Sequence, residues 1–293
     1  MYPSGFKVFI PQTLEEALEI LEKYGEEAKV LAGGHSLIPM MRLRLVKPTY
    51  IVYIGKIPGL SYIREEGGVI RIGAMTTHNQ IEESELLKAK NPLLSETASH
   101  IGDLQVRNMG TIGGSIAHAD PAADYPAALA ALDAEVVLRS KGGERVVKIS
   151  DFIQGPYITD IKPSELLVEV RVPALTGAFG TSYQKLYFRA GDFAIVGVAA
   201  LVELGEDGTF KKVRVGLTGV GEGPVRARGV EEELEGREAS EEAVAKAAER
   251  AREGLNPPSD IRASSEYRLE MSVVLTRRAL LQALARAKER QGK

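Results

Sequence analysis

Leu14, Ala17, Leu18 and Leu21 recur at helical spacing between Thr13 and Gly25, and they mark the first element of the chain. Thr13-Leu14-Glu15-Glu16 reads as a capping box, in which the Thr hydroxyl and the Glu carboxylate satisfy free N–H groups at a helix start. Gly25 reads as the stop. Residues 29–32 predict a short strand that runs straight into Ala32-Gly33-Gly34-His35-Ser36. Apolar and basic residues then take turns over 37–45, which predicts a short helix closed by Pro48, and 50–54 is the next strand. Further on, 69–73 predicts a strand, Thr77 opens a short helix, 93–101 reads as helical and 126–131 as another short helix. Residues 134–138 and 144–147 flank Lys141-Gly142-Gly143 as a hairpin, and 166–172 forms a strand ended by Pro173.

The pattern changes after Thr176-Gly177-Ala178-Phe179-Gly180, which reads as a linker. Residues 182–189, 194–204 and 211–218 read as three antiparallel strands, the last two joined at Glu206-Asp207-Gly208. Ser240 caps a helix that reaches Glu253, and a closing helix covers 265–286. No internal repeat is present. The fold class these elements predict is α+β: mixed strands and short helices first, then an antiparallel sheet backed by two or three helices.

Composition narrows the function. A chain of 293 residues suits two domains. No apolar run approaches the roughly 18 residues of a membrane span, and MYPSGFKVFIPQ lacks the basic and apolar regions of an export signal. These features predict a soluble, cytoplasmic protein with no transmembrane segment. Thirty-seven basic against 40 acidic residues leave a net charge of −3, so no nucleic-acid footprint is expected. Cysteine is absent, which excludes a disulfide framework, a thiolate nucleophile, a cysteine-bound iron–sulfur cluster and a cysteinyl flavin.

The candidate chemistry lies in two glycine pairs, at Gly33-Gly34 and Gly113-Gly114, each beside a hydroxyl side chain. Glycine permits tight turns and close backbone approach to a ligand, and successive free N–H groups favour anions. Two such loops point to a ligand with a bridging anion, such as the pyrophosphate of a dinucleotide. Thr111 and Ser115 add hydroxyls, while Asp124 is either an acceptor for ribose hydroxyls or, with Asp120, a helix cap. Neither GxGxxG opening a helix nor GxxxxGK[ST] occurs, which disfavours Rossmann and P-loop readings. The four histidines, His35, His78, His100 and His118, lack metal-ligand spacing, and no GxSxG elbow surrounds Ser36 or Ser115. Lys185 reads as a solvated strand lysine, Gly191-Asp192-Phe193 as a hairpin turn, and Gly219-x-Gly221-x-Gly223 as a flexible loop.

The segments AGGHSLIP (32–39), IGAMTTH (72–78) and QVRNMGTIGGSIAHADPAADYPA (105–127) carry a resemblance, joined by GVAA (197–200) and Tyr267-Arg268. The chain resembles, over essentially its full length, the medium, FAD-binding subunit of the molybdenum hydroxylases, the carbon monoxide dehydrogenase and xanthine dehydrogenase family. The resemblance implies a two-lobed FAD-binding domain of the vanillyl-alcohol-oxidase type over 1–175, with lobes of about 1–56 and 57–175. A carbon monoxide dehydrogenase flavoprotein C-terminal domain over 178–289 would follow, with non-covalent FAD between the two. It assigns the pyrophosphate and adjoining sugar to Leu31, Ala32, Gly33, Gly34, His35, Ser36 and Leu37, and to Thr111, Ile112, Gly113, Gly114 and Ser115. Ile101 and Gly102 match contacts just upstream, Asp124 a cofactor-binding acid, and Leu167 an apolar contact near the adenine. Lys185 matches a position near the flavin, and Phe193 an aromatic over the isoalloxazine. No catalytic or metal-binding residue on this chain is implied.

The implied partners are an iron–sulfur small subunit and a molybdenum-cofactor large subunit. Electrons from the molybdenum centre would pass through the clusters to FAD and on to an external acceptor. Any place at the inner membrane face would come through those partners. The absence of cysteine agrees with this division of labour. The competing reading is a stand-alone FAD-dependent oxidoreductase with its own small substrate.

Overall fold

The computed structural model describes residues 2–292. The chain opens with β1 (Lys7–Phe9), α1 (Leu14–Tyr24), β2 (Ala28–Leu31), α2 (Leu37–Arg42) and β3 (Tyr50–Tyr53). The strands form a parallel sheet in the order β1-β3-β2. Half of the capping box forms: Thr13 accepts from the Glu16 N–H, while the Glu16 carboxylate accepts from the Gln12 N–H, one residue before the cap. Ala17, Leu18 and Leu21 then bury against Val52 and Ile54. Helix α2 stops at Arg42, short of the predicted 45. Arg44 takes a left-handed φ of 60°, and the N–H groups of Arg44 and Leu45 turn back onto the carbonyls of Met41 and Met40.

The second lobe holds β4 (Ile63–Glu66), β5 (Val69–Gly73), α3 (His78–Glu83), α4 (Glu85–Lys90), α5 (Pro92–Ser99), α6 (Leu104–Met109), α7 (Ile112–His118) and α8 (Asp124–Ala131). The hairpin β6 (Glu135–Ser140) and β7 (Gly143–Lys148), α9 (Ile149–Phe152), the small pair β8 (Ile153–Gly155) and β9 (Ile158–Thr159), and β10 (Leu166–Pro173) complete it. Five strands form an antiparallel sheet in the order β4-β5-β10-β6-β7. All eight residues of α8 are buried, as an all-round apolar helix requires.

Residues 179 and 180, read as linker, instead begin β11 (Phe179–Leu186). It pairs with β12 (Val196–Leu204), β13 (Phe210–Thr218) and β14 (Val225–Arg226) in an antiparallel sheet of that order. Helices α10 (Arg228–Leu234), α11 (Glu241–Ala248) and α12 (Ser265–Gln291) follow. Strand alternation divides β12 between two cores. Val198, Ala200 and Val202 face Leu280 and Leu284 of α12, while Ala199 and Leu201 join Tyr125 and Ala128 of α8. No helix among the described residues is long and apolar enough to cross a membrane.

Candidate cofactor site

The turn between β2 and α2 carries the most distinctive backbone of the molecule. Among the described residues, no acceptor lies within hydrogen-bonding reach of the N–H groups of residues 32–37, six in succession. Polar backbone left unpaired in a folded chain seeks a partner, and a row of N–H groups suits an anion. Gly34 has a φ of 77°, where a side chain is strained. Gly33 is glycine for another reason: a Cβ there would strike the carbonyl of Met109 and the Cα of Gly110, so the turn packs directly on the end of α6.

The second glycine pair differs from the loop that the sequence suggests. It forms the first turn of α7, with Thr111 as its N-cap. Every amide there is already engaged. Ile112 donates to the Thr76 carbonyl at 3.1 Å, Gly113 to the Ala74 carbonyl at 2.9 Å, Gly114 to the Thr111 hydroxyl at 3.1 Å and Ser115 to the Thr111 carbonyl at 3.0 Å. This segment therefore offers a smooth wall rather than free donors. Gly113 is closed off by Ala74, whose Cβ lies 2.6 Å from where a Cβ would stand. A Cβ on Gly114 would meet only the Thr111 hydroxyl, at 2.9 Å, and the Ala32 methyl, at 3.7 Å. Ile112 points away, fully buried in the core.

The opposite wall is charged and dry. Lys185, on β11, places its ammonium 2.8 Å from Asp124 Oδ2 and 2.9 Å from the His100 carbonyl. Tyr183 donates its hydroxyl to Asp124 Oδ1 at 2.6 Å. Burial pushes the Asp124 carboxyl up from the ordinary carboxylate range, and the adjacent Lys185 ammonium pulls it back. The solvated reading of Lys185 is thus overturned: its side chain is 1% exposed. The cap reading of Asp124 falls as well, because Ala123 is the N-cap of α8 and both Asp124 oxygens serve β11. Asp120 accepts from the Ala122 N–H at 2.9 Å and braces the turn before α8.

Gly191, Asp192 and Phe193 belong to a loop over residues 187–195, longer than the predicted hairpin turn. A Cβ on Gly191 would stand 3.4 Å from the backbone of Gly102, so the loop runs close beside that residue, and the half-exposed Phe193 lines the same cavity. Gly219 donates to the Pro121 carbonyl, and its own carbonyl accepts from Arg268. This loop packs the two domains together.

One cavity of about 590 Å³ gathers these walls. It is lined by every residue proposed from sequence except Ile112. It also takes in residues that sequence reasoning missed. His78 lies beneath it, its pKa brought down to about 4, first by burial and then by the charges of His35 and Arg107. His118, Asp120 and Tyr157 line it as well. The motif string contained His118 and Asp120, but nothing in one dimension ties Tyr157 to them. A dinucleotide fits this chemistry: a free-amide row for a diphosphate, a side-chain-free strip at Gly114 beside it, and apolar walls such as Leu31, Ile54 and Leu167 for planar rings.

Comparison with known proteins gives the same direction. The family described as the FAD binding domain in molybdopterin dehydrogenase matches residues 4–175, and the CO dehydrogenase flavoprotein C-terminal domain matches 181–283. The chain is 41% identical to the glyceraldehyde dehydrogenase medium chain of Sulfolobus acidocaldarius, over 95% of this chain and 98% of that one. It is also 41% identical to the carbon monoxide dehydrogenase medium chain of Hydrogenophaga pseudoflava, over 98% and 99%. The solved carbon monoxide dehydrogenase of Hydrogenophaga pseudoflava superposes with a TM-score of 0.95 at 42% identity, over 98% of this chain and 99% of that one. Quinoline 2-oxidoreductase of Pseudomonas putida superposes at 0.93 and 34% identity, over 98% and 99%.

Proposed function

The chain belongs to the family of FAD-binding medium subunits of molybdenum hydroxylases, and from that premise we propose that it holds one FAD non-covalently in this cavity. In the same proposal it takes electrons from an iron–sulfur partner subunit and delivers them to an external acceptor. When bound, FAD supplies the exchange between single-electron carriers and a two-electron acceptor. The chain's own residues bind and orient it. The N–H groups of residues 32–37 hold the diphosphate, and Gly114 lets it approach α7. Leu167 would contact the adenine, Ile101 and Gly102 would line the approach, and Phe193 would provide the aromatic face for the flavin ring. Lys185 and Asp124 form a buried ion pair in the wall, which would hold the Lys185 ammonium at a fixed place beside the cofactor. In this reading residues 1–175 form the cofactor domain and 178–289 close over it.

The observation that carries the proposal is the row of six N–H groups without an acceptor among the described residues, lining the same cavity as the side-chain-free strip at Gly114. The test begins with the visible spectrum of the purified chain, followed by heat release and chromatography of the pigment. Released FAD supports the reading. FMN in its place breaks the diphosphate assignment, and a colourless chain that takes up no added FAD removes it. Co-purification with an iron–sulfur subunit and a molybdenum subunit tests the electron-transfer part. Turnover of a small substrate by the isolated chain would replace that part with the stand-alone reading.

A further inference from the structure

Tyr157 lines the cavity on a backbone that turn chemistry favours for glycine or asparagine. Strands β8 and β9 pair Ile153 with Thr159 and Gly155 with Ile158, which leaves Pro156 and Tyr157 as the two corner residues. Tyr157 has a φ of 61°. After a corner proline, positive φ belongs to Gly or Asn, because a Cβ crowds the neighbouring carbonyl. A bulky residue persists there only when its surroundings hold it.

The surroundings are the end of α7. The Tyr157 N–H donates to the Ala119 carbonyl at 2.9 Å, and Ala119 is itself left-handed at a φ of 52°. The Tyr157 hydroxyl donates to Asp120 Oδ2 at 3.3 Å. The ring lies 5.1 Å from that of His118, tilted by 47°. Burial does not select this tyrosine, since it stays 57% exposed. Tyr157, His118 and Asp120 all line the cavity that holds the amide row.

We propose that Tyr157, seated on His118, is an aromatic clip that stacks on a planar heteroaromatic ring of the bound dinucleotide. The proposal rests on FAD occupying this cavity. The ring of Tyr157 serves the cofactor, and the left-handed corner aims it. Both ends of FAD are planar heteroaromatics, so the experiment includes ligands that separate them.

The full-length chain is stripped of cofactor and titrated with FAD, FMN and ADP, with flavin fluorescence and calorimetry as readouts. The thermal melt of the cofactor-free protein is recorded alongside. Tyr157→Gly and Tyr157→Asn accept the left-handed backbone and delete the ring, whereas Tyr157→Phe keeps it. The expected result is a Kd for FAD at least about tenfold higher in the Gly and Asn variants, and within about threefold of wild type in the Phe variant. The cofactor-free Gly variant melts no lower than wild type. A matching loss for FMN assigns the clip to the isoalloxazine; a matching loss for ADP assigns it to the adenine. Gly and Asn variants that bind FAD like wild type overturn the proposal. So does a melting point lowered by more than about 5 °C with affinity for FAD unchanged, which makes Tyr157 a purely structural residue. A wild-type chain that takes up no FAD removes the cofactor reading and the clip together.

Discussion

Lys185 on β11 and Asp124 at the start of α8 hold each other at 2.8 Å across the junction of the two domains, with side chains 1% and 4% exposed. An ion pair this dry stabilises little in net terms, because desolvation offsets attraction. Breaking it from one side strands a buried charge. Lys185→Met is expected to cost about 3–5 kcal/mol of unfolding free energy, measured by urea titration of the cofactor-free chain. Combining it with Asp124→Asn should restore much of that loss. A single Lys185→Met variant as stable as wild type would show that the carboxyl is already protonated.

The glycines separate into two kinds. Gly113→Ala drives a methyl into Ala74 and should lower stability by about 1–3 kcal/mol whether or not cofactor is present. Gly114→Val faces the cavity and disturbs only the Thr111 cap, for about 1 kcal/mol. Its main effect should be loss of bound FAD, read from the absorbance ratio of the purified protein. A Gly114→Val chain with full FAD would move the diphosphate away from α7.

His78 sets a pH dependence. Its folded pKa of about 4 lies below the ordinary 6.5, so the native state favours the neutral ring. Above about pH 6.5 both folded and unfolded states are neutral and the stability is fully present. As pH falls, the unfolded chain takes up a proton that the native one refuses, and up to about 3 kcal/mol is lost by pH 4. Burial lowers His100 and His118 in the same direction. Urea midpoints measured between pH 7.5 and 4.5 should decline, and His78→Gln should flatten the curve. An unchanged slope in that variant would assign the decline to other groups.

Arg268, buried on α12, donates to the carbonyls of Ile195 and Gly219 and pairs with Asp260 at 2.9 Å. It anchors the far end of the loop that carries Phe193. Arg268→Met leaves both carbonyls unpaired and should cost about 2–4 kcal/mol. Limited proteolysis should then cut within residues 187–195 faster than in wild type; equal rates would separate the loop from this anchor.

Much of this architecture was legible because its signals are local. Thr13 and Thr77 cap the helices they announce, and the near-continuous apolar run of β12 names a strand buried on both faces. Helix α7 was hidden because glycines weaken a helix, and seven residues are too few to show a period. Capping at Thr111 and packing on Ala74 override that weakness. The burial of Lys185 was invisible for a different reason. Its partner lies 61 residues away, and an isolated strand lysine ordinarily faces water. Tyr157 broke the turn rule in plain view, as the residue after Pro156, but its significance needs α7 beside it. The motif residues converged on one cavity, with Ile112 the exception because helical rotation turns it inward.

Strand β12 gives one face to α12 and the other to α8, so Ala199 and Leu201 complete a core that begins more than a hundred residues earlier at Ile70 and Ile72. The boundary between the two matched families is therefore no boundary in packing. A chain cut near residue 178 would leave α8 with an uncovered apolar side and Asp124 without its lysine. Exchange of the C-terminal unit between relatives would have to carry matching residues on both sides of that boundary.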